Sequence, residues 1–360
     1  MELIFDCHLD LSMNALEWNR DLREPVARIR EIESGMTDMK GRALGTTAFP
    51  EMRAGGMGIC VATQIGGCMK PRGPVASWES PPQAWAMTQG QLAWYRVMEE
   101  LGEMREIRDA DGLRSHLETW ADPEAAAEAK APIGYIRSLE GADSIVTLDY
   151  LERAWADGLR ALGPAHYGEG RYAMGHDRTG PLKPEGRELI KEMDRLGMIL
   201  DVTHLCDDCF WEALDLFSGP VWASHSNCRA LVPDVRQFSD EQLKALIERG
   251  SVIGAAFDAW MILPGWERGK TTPKDLGVKI DHVVDHIDHV CQLAGNAGHA
   301  GIGTDLDGGF GTEQSPMDLD TIADVATVAD KLRDRGYAAA DVTAIMSGNY
   351  LRFLETAWSD

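Results

Sequence analysis

Short apolar segments recur along the chain and alternate with stretches of helical periodicity. Eight of these segments have the length and composition of buried strands. They lie at residues 2–6, 57–65, 132–139, 158–165, 198–203, 221–224, 251–257 and 300–304. The clearest helical patterns are at 185–197, which ends at a glycine, and at 240–250. Because strands that alternate with helices form parallel sheets, the pattern predicts an α/β fold.

The number of strand–helix units favours a closed barrel. Eight units match a (β/α)8 TIM barrel, and the alternative, an open doubly wound sheet, is weakened because no G-x-G-x-x-G motif follows the first strand. With 360 residues, 44% of them hydrophobic, the chain is long enough for one such barrel. We therefore predict a single barrel domain over residues 1–360. The Gly-, Pro- and Ser-rich segment 66–82 is predicted to be an irregular loop, and it is a candidate cover for a functional site at the strand ends.

The charge balance argues against two classes of partner. Lys and Arg total 35 against 58 Asp and Glu, which gives a net charge of -23. This charge would repel phosphate backbones and anionic lipid, so nucleic acid and membrane partners are not expected.

The first residues lack the basic and apolar regions of a signal peptide, and the 7 cysteines are spread as in proteins with reduced thiols. We expect a soluble, cytoplasmic protein.

Residue types that bind metals or transfer protons follow most of the predicted strands. In chain order they are His8 and Asp10 (strand one), Glu140 (three), His166 (four), His204 (five), His225 (six) and Asp305 (eight). Barrel enzymes carry their chemistry at these strand ends. His8 and Asp10 are two residues apart, so on an extended chain both point to the same face and can bind one cation.

Each of these residues alone also fits a structural role, such as a hydrogen-bonded histidine or a turn at Asp305. Together, however, the residues favour a metal site, because burying several histidines and carboxylates at one barrel mouth without a cation would cost several kcal/mol. A shared metal site removes that cost. Imidazole with carboxylate, and no thiolate at the matching ends, suits zinc first and manganese or iron less well.

Two other clusters have a metal-binding interpretation that we do not favour. Cys206 and Cys209 form a C-x-x-C pair, but the chain has no second pair at zinc-ribbon spacing, and the acidic residues between them disfavour a low-pKa redox thiol. We interpret both as structural thiols at the start of a helix. Five other histidines, either on one face of an outer helix or isolated, are interpreted as packed or solvated. They are His282, His286 and His289 on the helix, and His116 and His299 elsewhere.

Six motifs, taken in order and spacing, resemble the membrane (renal) dipeptidase family, zinc peptidases of the amidohydrolase superfamily. They are F-D-C-H-L-D at 5–10, S-L-E-G at 138–141, L-D-V-T-H at 200–204, A-S-H-S-N at 223–227, G-I-G-T-D-L-D-G at 301–308 and G-N-Y-L-R at 348–352. The resemblance spans nearly the whole chain. It implies that His8 and Asp10 bind one zinc ion, that His204 and His225 bind a second, and that Glu140 bridges the two.

The resemblance also implies roles for three further residues. Asp305 would be the proton-handling carboxylate, and His166 would contact the carbonyl oxygen of the substrate. An arginine eleven residues after the last zinc histidine holds the substrate's terminal carboxylate in this family, and that position is Arg236 here. Arg229 is the nearby competitor. The chain departs from the family after His166, where an Asn-rich, Trp-containing stretch is usual, so the role of the 167–183 loop stays open.

The implied function is that of a binuclear zinc dipeptidase in which a hydroxide bridging two zinc ions attacks the peptide bond. Substrates with a D-residue at the carboxyl end, L-Xaa-D-Xaa, and a homodimer are further expectations from the resemblance. The alternative is hydrolysis of another small amide, an N-acyl amino acid or a lactone at the same metal pair. A barrel that has lost catalysis and only binds partners is a third interpretation, which the presence of Asp305, His166 and Arg236 disfavours.

Overall fold

The computed structural model describes residues 1–68 and 77–359. Within these residues nine parallel strands form one sheet. They are β1 (Ile4–Leu9), β2 (Met57–Ile65), β3 (Met104–Glu106), β4 (Ile133–Glu140), β5 (Ala161–Gly163), β6 (Ile199–Asp201), β7 (Val221–Trp222), β8 (Ile253–Ala255) and β9 (Ala300–Ile302). Each predicted strand segment overlaps one of them. The sequence did not indicate β3, because it has three residues, of which the middle one is an exposed arginine.

Eight of the strands form a nearly closed barrel, in the order β7-β6-β5-β4-β2-β1-β9-β8, and β3 pairs with β4 off this path. A single parallel bridge between Ala223 and Ile253 joins the two ends. Glycine is required at residues 254 and 303 beside this junction. A Cβ atom would lie 2.0 Å from the carbonyl oxygen of Ser224 at Gly254 and 1.8 Å from it at Gly303. The predicted (β/α)8 barrel is therefore confirmed, whereas the single-domain assignment stays a prediction.

The register between β1 and β2 contains a β-bulge. Asp6 pairs with Cys60 and Leu9 with Ala62, so three steps along β1 oppose two along β2. An extra residue of this kind reverses the alternation of side chains between the two faces of the strand. His8 lies inside the bulge. Phe5 and Cys7 belong to the hydrophobic cluster inside the barrel, so strict alternation would point His8 outward. The bulge instead turns its side chain toward the interior, where its Nδ1 atom contacts Thr63 Oγ1.

Helices cover the outside of the barrel. Those in the described residues are α1 (Leu11–Leu16), α2 (Val26–Ile32), α3 (Phe49–Ala54), α4 (Pro81–Glu100), α5 (Ala110–Thr119), α6 (Pro123–Glu128), α7 (Leu148–Ala156), α8 (Pro184–Leu196), α9 (Asp207–Leu216), α10 (Asp240–Glu248), α11 (Ala259–Ile262), α12 (Pro273–Leu276), α13 (Ile280–Ala294), α14 (Thr327–Asp334), α15 (Ala339–Thr343) and α16 (Asn349–Ala357). The two predicted helices correspond to α8, which ends at the left-handed Gly197, and α10, which begins with a capping box at Ser239.

Two hydrophobic clusters make up most of the core. The larger packs the outer face of the strands against the helices. The smaller one fills the barrel interior, where Phe5 stacks on Tyr350 of α16 with ring centroids 4.9 Å apart. Among the described residues no helix is both long enough and apolar enough to cross a bilayer. Residues 69–76 of the predicted loop 66–82 lie outside the described residues, and so does its expected role as a cover.

Candidate metal centre

Seven of the eight predicted site residues lie at the carboxyl ends of the barrel strands, and the eighth, Arg236, lies in the segment between β7 and α10. Glu140 is the last residue of β4, and His8 and Asp10 lie at the end of β1 and directly after it. The other four share one position, three residues after their strand ends. They are His166 after β5, His204 after β6, His225 after β7 and Asp305 after β9. Two of these, His204 and Asp305, have left-handed backbones with φ of 69° and 59°, a strained conformation that often marks functional sites.

The first group of potential ligands surrounds the Nε2 atom of His8. This atom lies 3.7 Å from Asp10 Oδ2, 3.8 Å from Glu140 Oε1 and 3.8 Å from Asp305 Oδ1. These separations are too long for hydrogen bonds. His8 Nε2 and Asp10 Oδ1 are buried and have no hydrogen-bond partner among the described residues. Unpartnered buried donors and acceptors that converge in this way fit a cation between them.

The second group contains His204 and His225. Their Nε2 atoms lie 3.0 Å apart, and Glu140 Oε1 lies 3.1 Å from the first and 3.4 Å from the second. The same oxygen also faces His8, so Glu140 belongs to both groups of ligand atoms. Nitrogen and oxygen donors in two groups that share one carboxylate suit a pair of divalent ions, and the residues present therefore fit the predicted metals.

The electrostatics of the cluster follow from its burial. Burial, together with the charge of Asp10, raises the pKa of Glu140 to about 8. Burial also raises the pKa of Asp305 well above its usual value, and Asp10 and Glu140 raise it further. Burial alone would lower the pKa of His8, but the carboxylates of Glu140 and Asp10 raise it to about 10. Crowded carboxylates of this kind are stabilised in the charged form by a cation.

Each of the three potential histidine ligands has a partner at its second ring nitrogen. The Nδ1 contacts are His8 with Thr63 Oγ1 at 3.4 Å, His225 with Ser224 Oγ at 2.9 Å, and His204 with His176 Nδ1 at 3.2 Å. Partners of this kind set the orientation and the tautomer of metal-binding imidazoles. Sequence reasoning missed His176, because it lies alone in the 167–183 loop and belongs to no recognised motif.

Arg236, and not its competitor Arg229, lies in the cavity of the site. Its buried guanidinium donates hydrogen bonds to Ser226 Oγ at 3.1 Å and to the carbonyl oxygen of His225 at 2.9 Å. It has no ion pair within the described residues. Arg229, by contrast, is held by two 2.8 Å hydrogen bonds to Asp207 outside this cavity. The structure therefore favours Arg236 as the arginine that is free to bind a ligand.

His166 faces the cavity beside Glu140, with its Nε2 atom 3.9 Å from Glu140 Oε2 and its ring centroid 4.6 Å from that of His204. Burial lowers the pKa of His166 to about 4. A neutral imidazole in this position can donate a hydrogen bond to a ligand oxygen without carrying a charge.

The cavity has a volume of about 270 Å³ and contains a second set of polar residues that the sequence did not single out. Among them Asp258 accepts hydrogen bonds from Trp260 Nε1 at 2.7 Å and from Gln314 Nε2 at 2.9 Å, and Arg268 lies over the Trp260 ring at 4.7 Å. Asp258 lies three residues after the end of β8, the same offset as the four residues above. That offset was a signal that could have found it.

The two C-x-x-C cysteines are buried and free. Both Sγ atoms donate to the carbonyl oxygen of Gly180, at 3.3 Å from Cys206 and 3.2 Å from Cys209, as expected for structural thiols at the start of α9. The neighbouring Cys209 lowers the pKa of Cys206, whereas the negative charge of Asp208 opposes this shift.

The other histidines have structural contacts. His286 of α13 is buried between the amide of Cys228 and the carbonyl of Ile262, and His289 binds Asp240 at 2.8 Å. His116 and His299 each bond a backbone carbonyl oxygen at 2.9 Å. None of these four contributes to the ligand groups found in the described residues.

A parallel barrel with grouped histidines and carboxylates at the carboxyl ends of its strands is a barrel of the metal-dependent hydrolase type. More specifically, the family model for membrane dipeptidase, peptidase family M19, matches residues 2–359, and the chain belongs to this family. Membership confirms the resemblance found in the sequence and the prediction of a peptidase.

Individual relatives are distant. The chain is 29% identical over 216 residues to an uncharacterized protein in the pqqA 5' region of Klebsiella pneumoniae, a match that covers 58% of this chain and 76% of the relative. It is 31% identical over 201 residues to dipeptidase tcpJ of Claviceps purpurea, covering 55% of this chain and 44% of that protein. The second match therefore spans less than half of the relative's length.

Solved structures share the fold. A metallo peptidase named dipeptidase AC superimposes with a TM-score of 0.78 at 23% identity, covering 100% of this chain and 99% of the other. A metallo peptidase from Rhodobacter sphaeroides, liganded with a phosphinate mimic of the dipeptide L-Ala-D-Ala, gives a TM-score of 0.77 at 22% identity, with 99% of both chains covered. At this level of identity the likeness supports the barrel fold.

Proposed function

We propose that this protein is a dipeptidase with two divalent metal ions, zinc in the first instance, at the carboxyl ends of its barrel strands. The observation that carries the proposal is the position of Glu140 between two groups of ligand atoms, with Arg236 in the same cavity. His8 and Asp10 would hold one ion and His204 and His225 the other. When bound, such ions lower the pKa of a water molecule and polarise a carbonyl group.

Asp305 is the proposed proton carrier. Its carboxyl group is buried beside the first ligand group and lines the cavity, and burial together with neighbouring carboxylates favours its protonated form. It would take a proton from the attacking water and deliver it to the amine that leaves. The first transfer needs the ionised carboxylate, which bound cations would favour, and the raised pKa then allows Asp305 to hold the proton until it passes to the amine.

His166 is proposed to donate a hydrogen bond to the oxygen that becomes negative when the peptide carbonyl is attacked. Its imidazole is neutral and faces the cavity from the end of β5. A donor fixed in a largely buried site stabilises developing charge more than water does, because it needs no reorientation.

Arg236 is proposed to bind the free carboxylate of the substrate. Its side chain is held in place by Ser226 and by the carbonyl of His225, so its remaining donors have a fixed direction. A guanidinium fork matches a carboxylate and would restrict the enzyme to substrates with a free carboxylate one residue past the cleaved bond. The site would thereby select dipeptides over longer peptides.

We also propose a preference for L-Xaa-D-Xaa dipeptides. Support comes from the fold neighbour from Rhodobacter sphaeroides, whose ligand mimics L-Ala-D-Ala. The test is a screen of the zinc-loaded protein against matched L-Xaa-L-Xaa and L-Xaa-D-Xaa libraries, together with N-acyl amino acids and lactones. Hydrolysis of the last two classes without any dipeptide cleavage would contradict the dipeptidase proposal.

A further inference from the structure

His176 contacts a proposed metal ligand from a loop that is distant in sequence. Gly175 and Leu205 form an antiparallel bridge, and the next opposed pair in such a ladder is His176 and His204. The backbone pairing therefore brings the two imidazoles together, and their Nδ1 atoms lie 3.2 Å apart. Both side chains are buried.

The contact contains one proton, because two nitrogen atoms at this distance need one donor and one acceptor. The remaining contacts of His204 decide which is which. Its Nε2 atom lies 3.3 Å from Arg236 Nη2, which can only donate, and faces Glu140 and His225 in the second ligand group. His204 Nε2 is thus the acceptor or metal-binding atom of that ring. The proton of His204 lies on Nδ1, and His176 Nδ1 must accept it.

We propose that His176 is a positioning residue of the metal centre: it accepts the Nδ1–H hydrogen bond of His204 and so fixes the tautomer and the ring orientation of that ligand. The inference rests on the metal site proposed above. It gives the 167–183 loop, which departs from the usual family pattern, a role in metal binding.

The loop is anchored well enough for this role. The amide of Cys206 donates to the carbonyl of Met174 at 3.1 Å, and the amide of Gly168 donates to Asp177 Oδ1 at 2.6 Å. A Cβ atom at Gly175 would lie 2.0 Å from the carbonyl oxygen of His166, so the backbone packs closely beside the proposed oxyanion donor. The backbone on both sides of His176 is therefore fixed, which holds its Nδ1 acceptor in place.

The other two potential histidine ligands pair with hydroxyl groups, those of Thr63 and Ser224. A hydroxyl rotates and can donate or accept, whereas the imidazole of His176 is rigid and offers one acceptor atom in one direction. His204 also has a left-handed backbone, with φ of 69°, and so depends on tertiary contacts for its conformation. A directional partner is most useful for this ligand.

The test combines zinc affinity with imidazole NMR. His176→Leu removes the acceptor, and His176→Asn restores an oxygen acceptor near the position of Nδ1. Zinc affinity, measured by competition with a chromophoric chelator, should fall by about 10–100-fold for one of the two ions, the one that His204 would hold, in the Leu variant and recover most of that loss in the Asn variant. Asp177→Ala is the control, because it loosens the same loop at Gly168 and leaves His176 in place.

In the zinc-loaded wild type, ¹⁵N spectra should show His204 protonated at Nδ1 and His176 protonated at Nε2. The opposite tautomer of His176 would overturn the inference even if the Leu variant did not fold. Wild-type affinity in His176→Leu, or an equal loss in Leu, Asn and Asp177→Ala variants, would overturn it as well. If the wild type binds no zinc, the proposed metal centre itself is wrong, which is a separate result.

Discussion

Glu140 Oε1 lies 3.1 Å from His204 Nε2, and the same oxygen lies 3.8 Å from His8 in the other ligand group. One carboxylate therefore faces both groups.

We predict that wild-type protein binds about two zinc ions per chain, because the donors present exceed those of one tetrahedral ion. Glu140→Gln should weaken both ions, whereas His225→Ala should chiefly weaken one. Elemental analysis after zinc loading and dialysis measures this, and the same loss of both ions in the two variants would contradict a bridging role.

Asp305→Asn keeps the shape of the side chain but cannot carry a proton. Turnover of a dipeptide should fall by about two orders of magnitude or more, whereas zinc content should stay nearly unchanged. Steady-state kinetics and metal analysis on the same preparation check both parts. A folded Asn variant that retains its activity would remove Asp305 from proton transfer.

Arg236→Met should abolish the preference for a free carboxylate. In the wild type a dipeptide amide should be cleaved more slowly than the free acid, by an amount that corresponds to about 1.5–3 kcal/mol for a charge-assisted contact. In the variant the acid should slow down and the amide should barely change, as kcat/KM for both substrates will show.

Arg229→Met is the control for that experiment, because Arg229 is bound to Asp207 outside the cavity. It should leave the acid-to-amide ratio intact. If the Arg229 variant loses the discrimination and the Arg236 variant keeps it, the carboxylate site has been assigned to the wrong arginine.

His116 should make the protein sensitive to acid at a place far from the metal centre. Burial lowers the pKa of His116 from its usual 6.5 to about 4. As the pH falls, His116 is therefore protonated in the unfolded chain before it is protonated in the folded protein. Its contribution to the free energy of unfolding is fully present above about pH 6.5 and is lost as the pH falls toward 4. From pH 7.5 to 5 the loss should be about 2 kcal/mol for this residue.

The matched variant is His116→Gln, whose side-chain amide can still donate to the carbonyl of Gly58 but does not titrate. Urea unfolding of zinc-saturated protein at both pH values should show a smaller decrease in the free energy of unfolding for the variant. An equal decrease in both proteins would show that His116 does not contribute to acid sensitivity.

The sequence predicted the barrel and the positions of the candidate ligands at the strand ends, because alternation and residue type are local properties. It could not predict the bulge at His8, since a one-residue register shift depends on the pairing of β1 with β2. His176 was missed for a related reason, because its importance comes from the contact with His204, which appears only once the strands are closed into a barrel. Asp258, by contrast, directly follows the predicted strand 251–257, so the sequence did contain a signal for it.

The three-residue offset behind the strands has a consequence for the way this site can change. Asp258, His166, His204, His225 and Asp305 are all carried by backbone beyond the sheet ladder, so the pairing of the strands does not depend on which side chain each position has. Exchange of Asp258 could therefore alter the choice of substrate without rebuilding the barrel or touching the metal ligands. Asp258, at the carboxyl end of β8, is thus a position where the cavity lining can change while the barrel and the proposed metal ligands stay as they are.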